Sequence, residues 1–271
     1  ICEKPVTFSS AEAIELKEIA ENNHRVFCLT HTYTGYPMIR EMKRRLEAGA
    51  VGTIQRVDVQ YLQGWINPII HGGNAKLAVW RLDPKVAGIS SCMGDIGVHA
   101  FNLVEYTTGL QVKKVLSVLN NLIPENTLDV DGNVLLKFDE NLTGVIRASQ
   151  IATGEENDLQ ISVYGTTGAF HWEQENPNEL KMYHEGSPVE IIKPGYDYLT
   201  DFCKESYVMP CGHPEGIYEA FGNLYKGAAK AIRGEKTVPG QFPGIDDGIR
   251  GMKFIEAVVK SNREGNSWAA V

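Results

Sequence analysis

The chain has 271 residues, of which 43% are hydrophobic and 22% are charged, so it is globular and long enough to form one or two hydrophobic cores. Its net charge of −8 at pH 7 argues against nucleic acid or an anionic membrane surface as the main partner. No apolar run approaches the length of a membrane span, and the five cysteines contain no CxxC pair. Unpaired thiols favour a reducing compartment, so we expect a cytoplasmic protein.

The first fifty residues alternate between strand-like and helix-like segments. Residues 1–5 and 25–30 are short apolar runs that predict buried strands. Ser9 and Glu12 have the spacing of a capping box at the start of a helix between these runs. Residues 37–47 predict a basic amphipathic helix whose Lys and Arg side chains face solvent. Strand, helix, strand and helix in this order indicate the back half of a parallel α/β unit.

After residue 53 the pattern changes to short strands separated by turns. Gln55–Tyr61 alternates polar and apolar residues, which is typical of a half-buried strand. Two helices, Pro214–Ile232 and Ile245–Asn262, close the chain. These elements predict a large, mainly antiparallel open sheet with one face covered by helices or by another subunit. Seven further strands are predicted at Val112–Asn120, Asn133–Phe138, Gly144–Ala152, Leu159–Tyr164, Ala169–Trp172, Leu180–Tyr183 and Val189–Ile192.

One helical segment carries a polar stripe between Gly94 and Gly109. Asp95, His99, Asn102 and Tyr106 recur at helical spacing, with apolar residues on the opposite side. The simplest alternative is a surface helix, but the stripe contains no Lys, Arg or Glu, which solvated faces normally carry. A carboxylate one turn before an imidazole can orient the ring and set its protonation. Asp95 and His99 are therefore a candidate acid–base pair.

Two motifs at a specific distance indicate a family. Cys2-Glu3-Lys4-Pro5, followed about ninety residues later by Gly94-Asp95-Ile96-Gly97-Val98-His99, resembles the Gfo/Idh/MocA oxidoreductases, the relatives of glucose–fructose oxidoreductase and inositol dehydrogenase. The resemblance implies that residues 1–53 are the C-terminal part of a dinucleotide-binding Rossmann domain. Residues 54–271 would then form an α+β domain for substrate binding and oligomerisation. The resemblance extends through Trp80-Arg81-Leu82-Asp83-Pro84, Gly212-His213-Pro214-Glu215-Gly216 and Gly251-Met252-Lys253-Phe254-Ile255-Glu256.

The resemblance also implies catalytic roles for three residues. His99 would be the general base that takes the substrate hydroxyl proton while a hydride passes to NAD or NADP. Lys4 would lower the pKa of that hydroxyl and stabilise the developing alkoxide, and Asp95 would orient the hydroxyl or the imidazole. In relatives the Lys–Pro peptide bond is often cis, which would aim Lys4 into the cleft. The residues expected to contact the cofactor are Glu3, Lys4, Pro5, Trp80 and Arg81.

A further set of residues is expected to bind substrate. Tyr33 follows the strand predicted at 25–30, at the carboxyl edge where α/β sheets bind ligands. Asn102 stands where many relatives carry an acid. For each residue of this set, ordinary packing or surface exposure is the alternative. The full set is Tyr33, Trp65, His71, Asn102, Gln150, Asn157 and His213.

Together these features predict an NAD(P)-dependent dehydrogenase acting on a sugar, inositol or related polyol. We expect a homo-oligomer formed through the sheet face, with neither nucleic acid nor membrane as partner and with no metal site. The alternatives are an NAD-dependent glycosidase acting by transient oxidation, a non-catalytic sheet module for ligand binding or assembly, and a metal hydrolase built on Asp95, His99 and His71. The family's glycine-rich phosphate-binding turn precedes the Glu-Lys-Pro motif, before which this sequence has only Ile1 and Cys2. We therefore expect a truncated chain that binds NAD poorly and is inactive by itself.

Overall fold

The computed structural model describes residues 1–71, 79–123, 127–139 and 141–271. Its helices are α1 (Ser10–Asn22), α2 (Pro37–Glu47), α3 (Asn67–Ile70), α4 (Pro84–Ala87), α5 (Val98–Thr108), α6 (Asp201–Lys204), α7 (Ile217–Ile232) and α8 (Ile245–Arg263). Its strands are β1 (Ile54–Leu62), β2 (Lys114–Asn120), β3 (Asp131–Lys137), β4 (Thr143–Ser149), β5 (Asp158–Gly165), β6 (Gly168–Glu173), β7 (Leu180–His184), β8 (Glu190–Ile192) and β9 (Ala269–Ala270). Short 3₁₀ turns occupy Thr32–Gly35 and Val79–Leu82, and a π-helical turn occupies Met93–Gly97.

Within these described ranges the strands form one open sheet in the order β8-β7-β6-β5-β1-β4-β3-β2-β9. The β1–β4 pair is parallel, and the other neighbouring pairs are antiparallel. Alternation places Val57, Val59 and Tyr61 of β1 on the buried face. The predicted large, mainly antiparallel sheet is confirmed.

Helices cover one face of this sheet. Helix α8 packs on β2, α5 packs on β1 and β5, and α2 packs on β6 and β7. Between α5 and α8 the rings of Phe101 and Phe254 stack with centroids 4.4 Å apart. None of the helices in the described part of the chain is long and apolar enough to cross a membrane. All five cysteines lie in that part and are free thiols, as predicted.

The two strands predicted in the first thirty residues do not form, and this prediction was wrong in detail. Cys2 and Leu29 make a single parallel bridge, in which the Thr30 N–H donates to the Cys2 carbonyl oxygen (3.0 Å). The N–H of Leu29 donates instead to the carbonyl oxygen of Pro243 (2.8 Å), ahead of α8. The segment is extended and tied to the body of the protein without becoming a regular strand.

The expectation that the basic residues of α2 face solvent was wrong for Arg40. Its guanidinium is buried and donates to the Thr34 carbonyl oxygen (3.2 Å), the Ser206 hydroxyl (2.8 Å) and the Gln241 carbonyl oxygen (2.8 Å). These partners come from segments distant in sequence, which the pattern within α2 cannot show. Arg40 thereby fixes the end of the segment that contains His31 and Tyr33.

Local signals at helix ends are confirmed in part. The Ser9 side chain accepts from the Glu12 N–H (3.2 Å), as an N-cap does, but the Glu12 carboxylate accepts from the Phe8 N–H (2.9 Å) rather than from Ser9. Helix α5 ends at Gly109, whose φ of 69° is the left-handed conformation expected of a C-terminal glycine.

Candidate active site

Two of the cavities in the described structure meet at Lys4, Arg81 and Asp95. The first, about 480 Å³, we call the apolar cleft; residues 3–8 form one of its walls. The second, about 440 Å³, we call the polar pocket. The other residues lining the apolar cleft are Trp80, Arg81, Val86, Ala87, Gly88, Ile89, Ser90, Ser91, Gly94, Asp95, Met252 and Ile255. Those lining the polar pocket are Lys4, Tyr61, Gln63, Trp65, Arg81, Asp95, Ile96 and His99.

Lys4 is fixed at the junction of the two cavities. Its Nζ donates to Oδ1 of Asp95 at 3.0 Å and also to the backbone carbonyl oxygen of Asp95. The Lys4–Pro5 peptide bond is cis, as expected from the resemblance. The side chains of Lys4 and Asp95 are both mostly buried, so their ion pair is only weakly screened by solvent. An ammonium group is therefore held at the boundary between cleft and pocket.

The Asp95 carboxylate has two further partners. Its Oδ2 accepts from Nε2 of the buried Gln150 (3.0 Å) and forms an ion pair with Nε of Arg81 (3.0 Å). The Arg81 guanidinium lies over the ring of Trp80, 4.5 Å from its centroid, and 6.0 Å from that of Trp65. Asp95 thus anchors two cations at the junction of the two cavities.

The predicted pairing of Asp95 with His99 is not found. Among the described contacts no hydrogen bond joins the two side chains, and both Asp95 oxygens are occupied by Lys4, Arg81 and Gln150. Asp95 lies in the π-helical turn, whereas His99 lies in the first turn of α5. A π turn has more residues than an α turn, which changes the angle between residues four apart. The helical spacing correctly indicated that Asp95 and His99 belong to one site, but it wrongly indicated that their side chains are in contact.

The turn that carries Asp95 is held by a buried carboxylate from a distant loop. Asp129 accepts from the N–H groups of Ser91 (3.0 Å) and Met93 (2.8 Å), which begin the turn. The Ser90 hydroxyl accepts from the Gly94 N–H (3.1 Å). Burial raises the pKa of Asp129, and these N–H donors oppose that rise. The backbone amides at the start of the turn are thus satisfied, as at a capped helix N-terminus.

His99 is in contact with a second histidine that the sequence analysis missed. Nδ1 of His99 lies 3.4 Å from Nδ1 of the buried His31. The ring of Tyr33 packs edge-on against His99, with centroids 4.9 Å apart. Burial, together with the positive charge of Lys4, lowers the pKa of His99 well below its ordinary value and that of His31 to about 3. Both imidazoles are neutral at neutral pH, so His99 can accept a proton.

A chain of hydrogen bonds forms the far wall of the polar pocket. The hydroxyls of Tyr33 and Tyr61 are hydrogen-bonded to each other, and Tyr61 donates to Oδ1 of Asn157 (2.7 Å). The same oxygen accepts from Nε2 of Gln63 (2.9 Å), whose Oε1 accepts from Nε1 of Trp65 (3.1 Å). Burial raises the pKa of Tyr61 well above its ordinary value, so its hydroxyl remains protonated. The wall presents fixed donors and acceptors.

The structure brings only some of the predicted site residues together. Lys4, Asp95, His99, Trp65 and Arg81 line the polar pocket, and Glu3, Pro5 and Trp80 line the apolar cleft. Tyr33, Gln150 and Asn157 contact residues that line the pocket.

Three predicted substrate residues lie elsewhere. Asn102 is buried and donates to the Asp247 carboxylate at the limit of hydrogen-bond distance (3.5 Å). His71 lines a separate shallow cavity with Asn67. His213 is exposed. The metal hydrolase alternative is not supported, since His71 does not lie with Asp95 and His99, and the described residues contain no cluster of three metal-ligating side chains.

Three residues of the site were missed. Tyr61 and Gln63 lie at the carboxyl end of β1, where the alternation of the strand placed Tyr61 on the buried face. His31 directly follows the apolar run that drew attention to Tyr33, so the same edge argument applied to it.

Comparison with known proteins identifies the same family as the sequence motifs. Residues 39–171 match the sequence profile of the GFO/IDH/MocA C-terminal domain. The uncharacterized oxidoreductase YfiI of Bacillus subtilis is 29% identical over 99% of this chain and 70% of its own length. The crystal structure of an oxidoreductase from Sinorhizobium meliloti is 34% identical, with a TM-score of 0.86, over 98% of this chain and 71% of that one.

A third relative was solved with ligands. The inositol dehydrogenase homologue of Azotobacter vinelandii, complexed with NAD⁺, is 27% identical with a TM-score of 0.88, over 100% of this chain and 71% of that one. An inositol dehydrogenase homologue of the same organism, 26% identical with a TM-score of 0.85, was solved with NADH and myo-inositol. These relatives are named oxidoreductases, and their similarity covers nearly the whole of this chain. The chain is therefore an enzyme of that class. It belongs to the GFO/IDH/MocA family.

Proposed function

We propose that this protein is an NAD(P)-dependent dehydrogenase that moves a hydride between a sugar, inositol or related polyol and a nicotinamide cofactor. The observation that carries the proposal is the position of Lys4 and Asp95 at the junction of the two cavities. His99 lines the polar pocket but not the apolar cleft. A substrate carbon in the pocket would face a nicotinamide in the apolar cleft across this junction. The Azotobacter vinelandii relative was solved with NADH and myo-inositol, a nicotinamide cofactor and a polyol, and this supports the proposed pair of ligands.

The residues of the apolar cleft fit a nicotinamide. Val6, Ile89 and Met252 provide apolar walls for a flat ring. Ser91 lines the same cleft, and its hydroxyl is buried without a hydrogen-bond partner in the described structure. When bound, the cofactor supplies or accepts the hydride. Lys4, together with Glu3, Pro5, Trp80 and Arg81, would hold it.

His99 is the proton acceptor in this proposal. Its neutral imidazole lines the pocket, and its lowered pKa keeps it unprotonated at neutral pH. It takes the proton of the substrate hydroxyl during oxidation and returns it to the carbonyl oxygen in the reverse direction. The Lys4 ammonium stabilises the negative charge that develops on that oxygen, and Asp95 keeps the ammonium in place.

The polar pocket fits a substrate with several hydroxyl groups. Tyr61, Gln63 and Trp65 present donors and acceptors that their mutual hydrogen bonds fix in position. Arg81 adds a cation at the entrance shared with the cleft. Fixed polar groups that converge on one small volume favour a small polyhydroxylated molecule over an apolar one.

We also assign residues 1–53 to a dinucleotide-binding domain of Rossmann type and residues 54–271 to a substrate-binding domain. The parallel bridge between Cys2 and Leu29 and the position of Lys4 on the cleft support this division.

The experiment uses the complete native protein that carries this chain, supplied with NAD⁺ or NADP⁺ and a panel of sugars and polyols that includes myo-inositol. We expect polyol-dependent formation of NADH or NADPH, followed by its absorbance. Lys4→Met should abolish most of this activity, whereas Lys17→Met, which removes a surface ammonium paired with Asp246, should not. Cleavage of a glycoside without net cofactor reduction would support the glycosidase instead, and ligand binding without turnover would support a non-catalytic module.

A further inference from the structure

The contact between His31 and His99 joins two nitrogens of the same kind. Their Nδ1 atoms lie 3.4 Å apart, and the rings cross at 82° with centroids separated by 5.3 Å. A neutral imidazole carries one proton, so a hydrogen bond forms only if one Nδ1 is protonated and the other is not. The pair therefore has two arrangements, which differ in the nitrogen that His99 leaves unprotonated.

His31 is held rigidly and lies behind the pocket. Its side chain and backbone are 1% exposed, and it lines neither the apolar cleft nor the polar pocket. The backbone N–H of His31 donates to the Leu29 carbonyl oxygen (3.0 Å). The backbone carbonyl oxygen of His31 accepts from the backbone N–H (3.1 Å) and the hydroxyl (2.9 Å) of Thr34. His31 can therefore support a residue of the site without itself contacting a substrate.

The ring of His99 is confined by three aromatic neighbours, His31, Tyr33 and Tyr61. His31 packs against it at 82° and Tyr33 at 83°. Because Nδ1 faces His31, Nε2 is the nitrogen that remains for the polar pocket. Whether Nε2 of His99 is a donor or an acceptor in the pocket depends on which of the two histidines carries a proton on its Nδ1.

We propose that His31 is a positioning residue that holds His99 in the Nδ1–H tautomer. In this arrangement Nδ1–H of His99 donates to Nδ1 of His31, and the lone pair on Nε2 of His99 faces the polar pocket. The opposite arrangement would place a proton on Nε2 and block it as an acceptor. The proposal rests on the proposed function of His99 as the proton acceptor.

The proton balance follows from this tautomer. The substrate hydroxyl gives its proton to Nε2 of His99, its O–H electron pair becomes the second bond of the carbonyl, and the C–H electron pair leaves as hydride to the nicotinamide. Nδ1–H of His99 is retained throughout and continues to donate to His31, which supports the imidazolium without taking its proton. This is the orienting function that a carboxylate serves in the Ser-His-Asp triad, here provided by a neutral ring.

The direct test reads the tautomers without substrate or cofactor. Long-range ¹H–¹⁵N NMR spectra of the ¹⁵N-labelled native protein at neutral pH distinguish protonated from unprotonated ring nitrogens. We expect His99 protonated at Nδ1 and His31 protonated at Nε2, with the signals assigned from the His31→Asn and His99→Asn variants. A His99 ring protonated at Nε2 would overturn the proposal.

A kinetic test separates positioning from mere packing. His31→Leu removes the acceptor and should lower kcat by ~10- to 100-fold with little change in KM, the range seen when the partner that orients a metal-bound histidine is lost. His31→Asn can place an amide oxygen near the position of Nδ1 and should restore most of kcat. The control is His24→Asn, an exposed histidine with φ of 50°, a conformation that asparagine tolerates.

The outcomes distinguish the two proposals. A wild-type protein without dehydrogenase activity would count against the proposed function, while the NMR spectra would still decide the tautomer. An active wild type with a fully active His31→Leu variant would overturn the positioning role and leave the proposed function standing. Equal losses in the Leu and Asn variants would also overturn it, since they would indicate a packing role.

Discussion

The ammonium of Lys4 lies 3.0 Å from the Asp95 carboxylate, although the two residues are 91 positions apart in the sequence. This pair joins the first five residues to the turn that precedes α5 and lies where the apolar cleft meets the polar pocket. Asp95 contacts Lys4 and Arg81, and His31 occupies the position beside His99 that the helical spacing assigned to Asp95.

Removal of the Asp95 charge should disable the site. Asp95→Asn keeps the size of the side chain but removes the negative charge that anchors Lys4 and Arg81. We expect kcat to fall by roughly 100-fold, as when a preorganised oxyanion-stabilising group is lost. Steady-state kinetics of the complete native protein measure this. Asp246→Asn is the matched control, since Asp246 is 74% exposed and pairs with Lys17 on the surface. Equal activity of the two variants would contradict the role given to Asp95.

Removal of the Lys4 charge should raise the pKa of His99. Burial is the main cause of the lowered pKa, and the positive charge of Lys4 is the second. In Lys4→Met the protonated imidazole no longer meets that charge, so the pKa of His99 rises while staying below that of an exposed histidine. NMR titration of the histidine ring protons measures this without any turnover. An unchanged or lower pKa in Lys4→Met, with Lys17→Met as reference, would show that Lys4 does not act on His99.

The buried histidines should make the fold less stable in acid. The pKa of His31 is lowered from 6.5 to about 3, so below pH 6.5 the unfolded chain binds a proton that the folded chain does not. Stability is therefore lost as the pH falls from about 6.5 towards 3. Between pH 7 and pH 5 this one group should cost about 2 kcal/mol. Urea unfolding at both pH values measures the free energy of unfolding. Its loss between pH 7 and pH 5 should be smaller by about that amount in His31→Asn than in the wild type. Equal losses in the variant and the wild type would refute this effect.

The uncovered face of the sheet should bind a second copy of the protein. Large apolar side chains project from this face, each more than a third exposed. The same face also carries polar and charged side chains, among them Arg56, Asp58 and Arg147, so it offers a partner both apolar and polar contacts. We expect an oligomer by light scattering, and Leu135→Arg should dissociate it by placing a charge among these apolar side chains, whereas Val208→Arg, which is off the sheet, should not. A monomeric wild type at micromolar concentration would contradict this. The side chains are Val118, Leu135, Tyr164, Tyr183 and Ile191.

The sheet was largely predictable because alternation is a local property of each strand. Strands β1 to β8 lie where polar and apolar residues alternate or where a short apolar run is bounded by turns. Strand β9 has two residues, too few to show a period. The runs at residues 1–5 and 25–30 had the composition of buried strands, but whether a neighbour extends their ladder depends on tertiary structure, and here they share a single bridge.

The site was predictable in its residues and less so in its contacts. Lys4, Asp95 and His99 were found from motifs, and the structure places all three on one pocket. The contact of Asp95 with His99 was inferred from α-helical spacing, which the π turn changes. His31 gives no periodic signal, and the sheet-edge argument that selected Tyr33 was not extended to it, so it was missed. Arg40 was assigned to solvent because the residues that cover it come from segments distant in sequence.

The most direct test of the account is the activity of His99→Ala in the complete native protein. A general base contributes ~100- to 10,000-fold, so kcat for polyol oxidation should fall by about that much, with a smaller change in KM. The wild-type rate should fall on the acid side as His99 becomes protonated, and burial places that decline well below the pH expected of an exposed histidine. His99→Ala should lose both the rate and this acid-side decline. Near wild-type turnover with the same acid-side decline would contradict it.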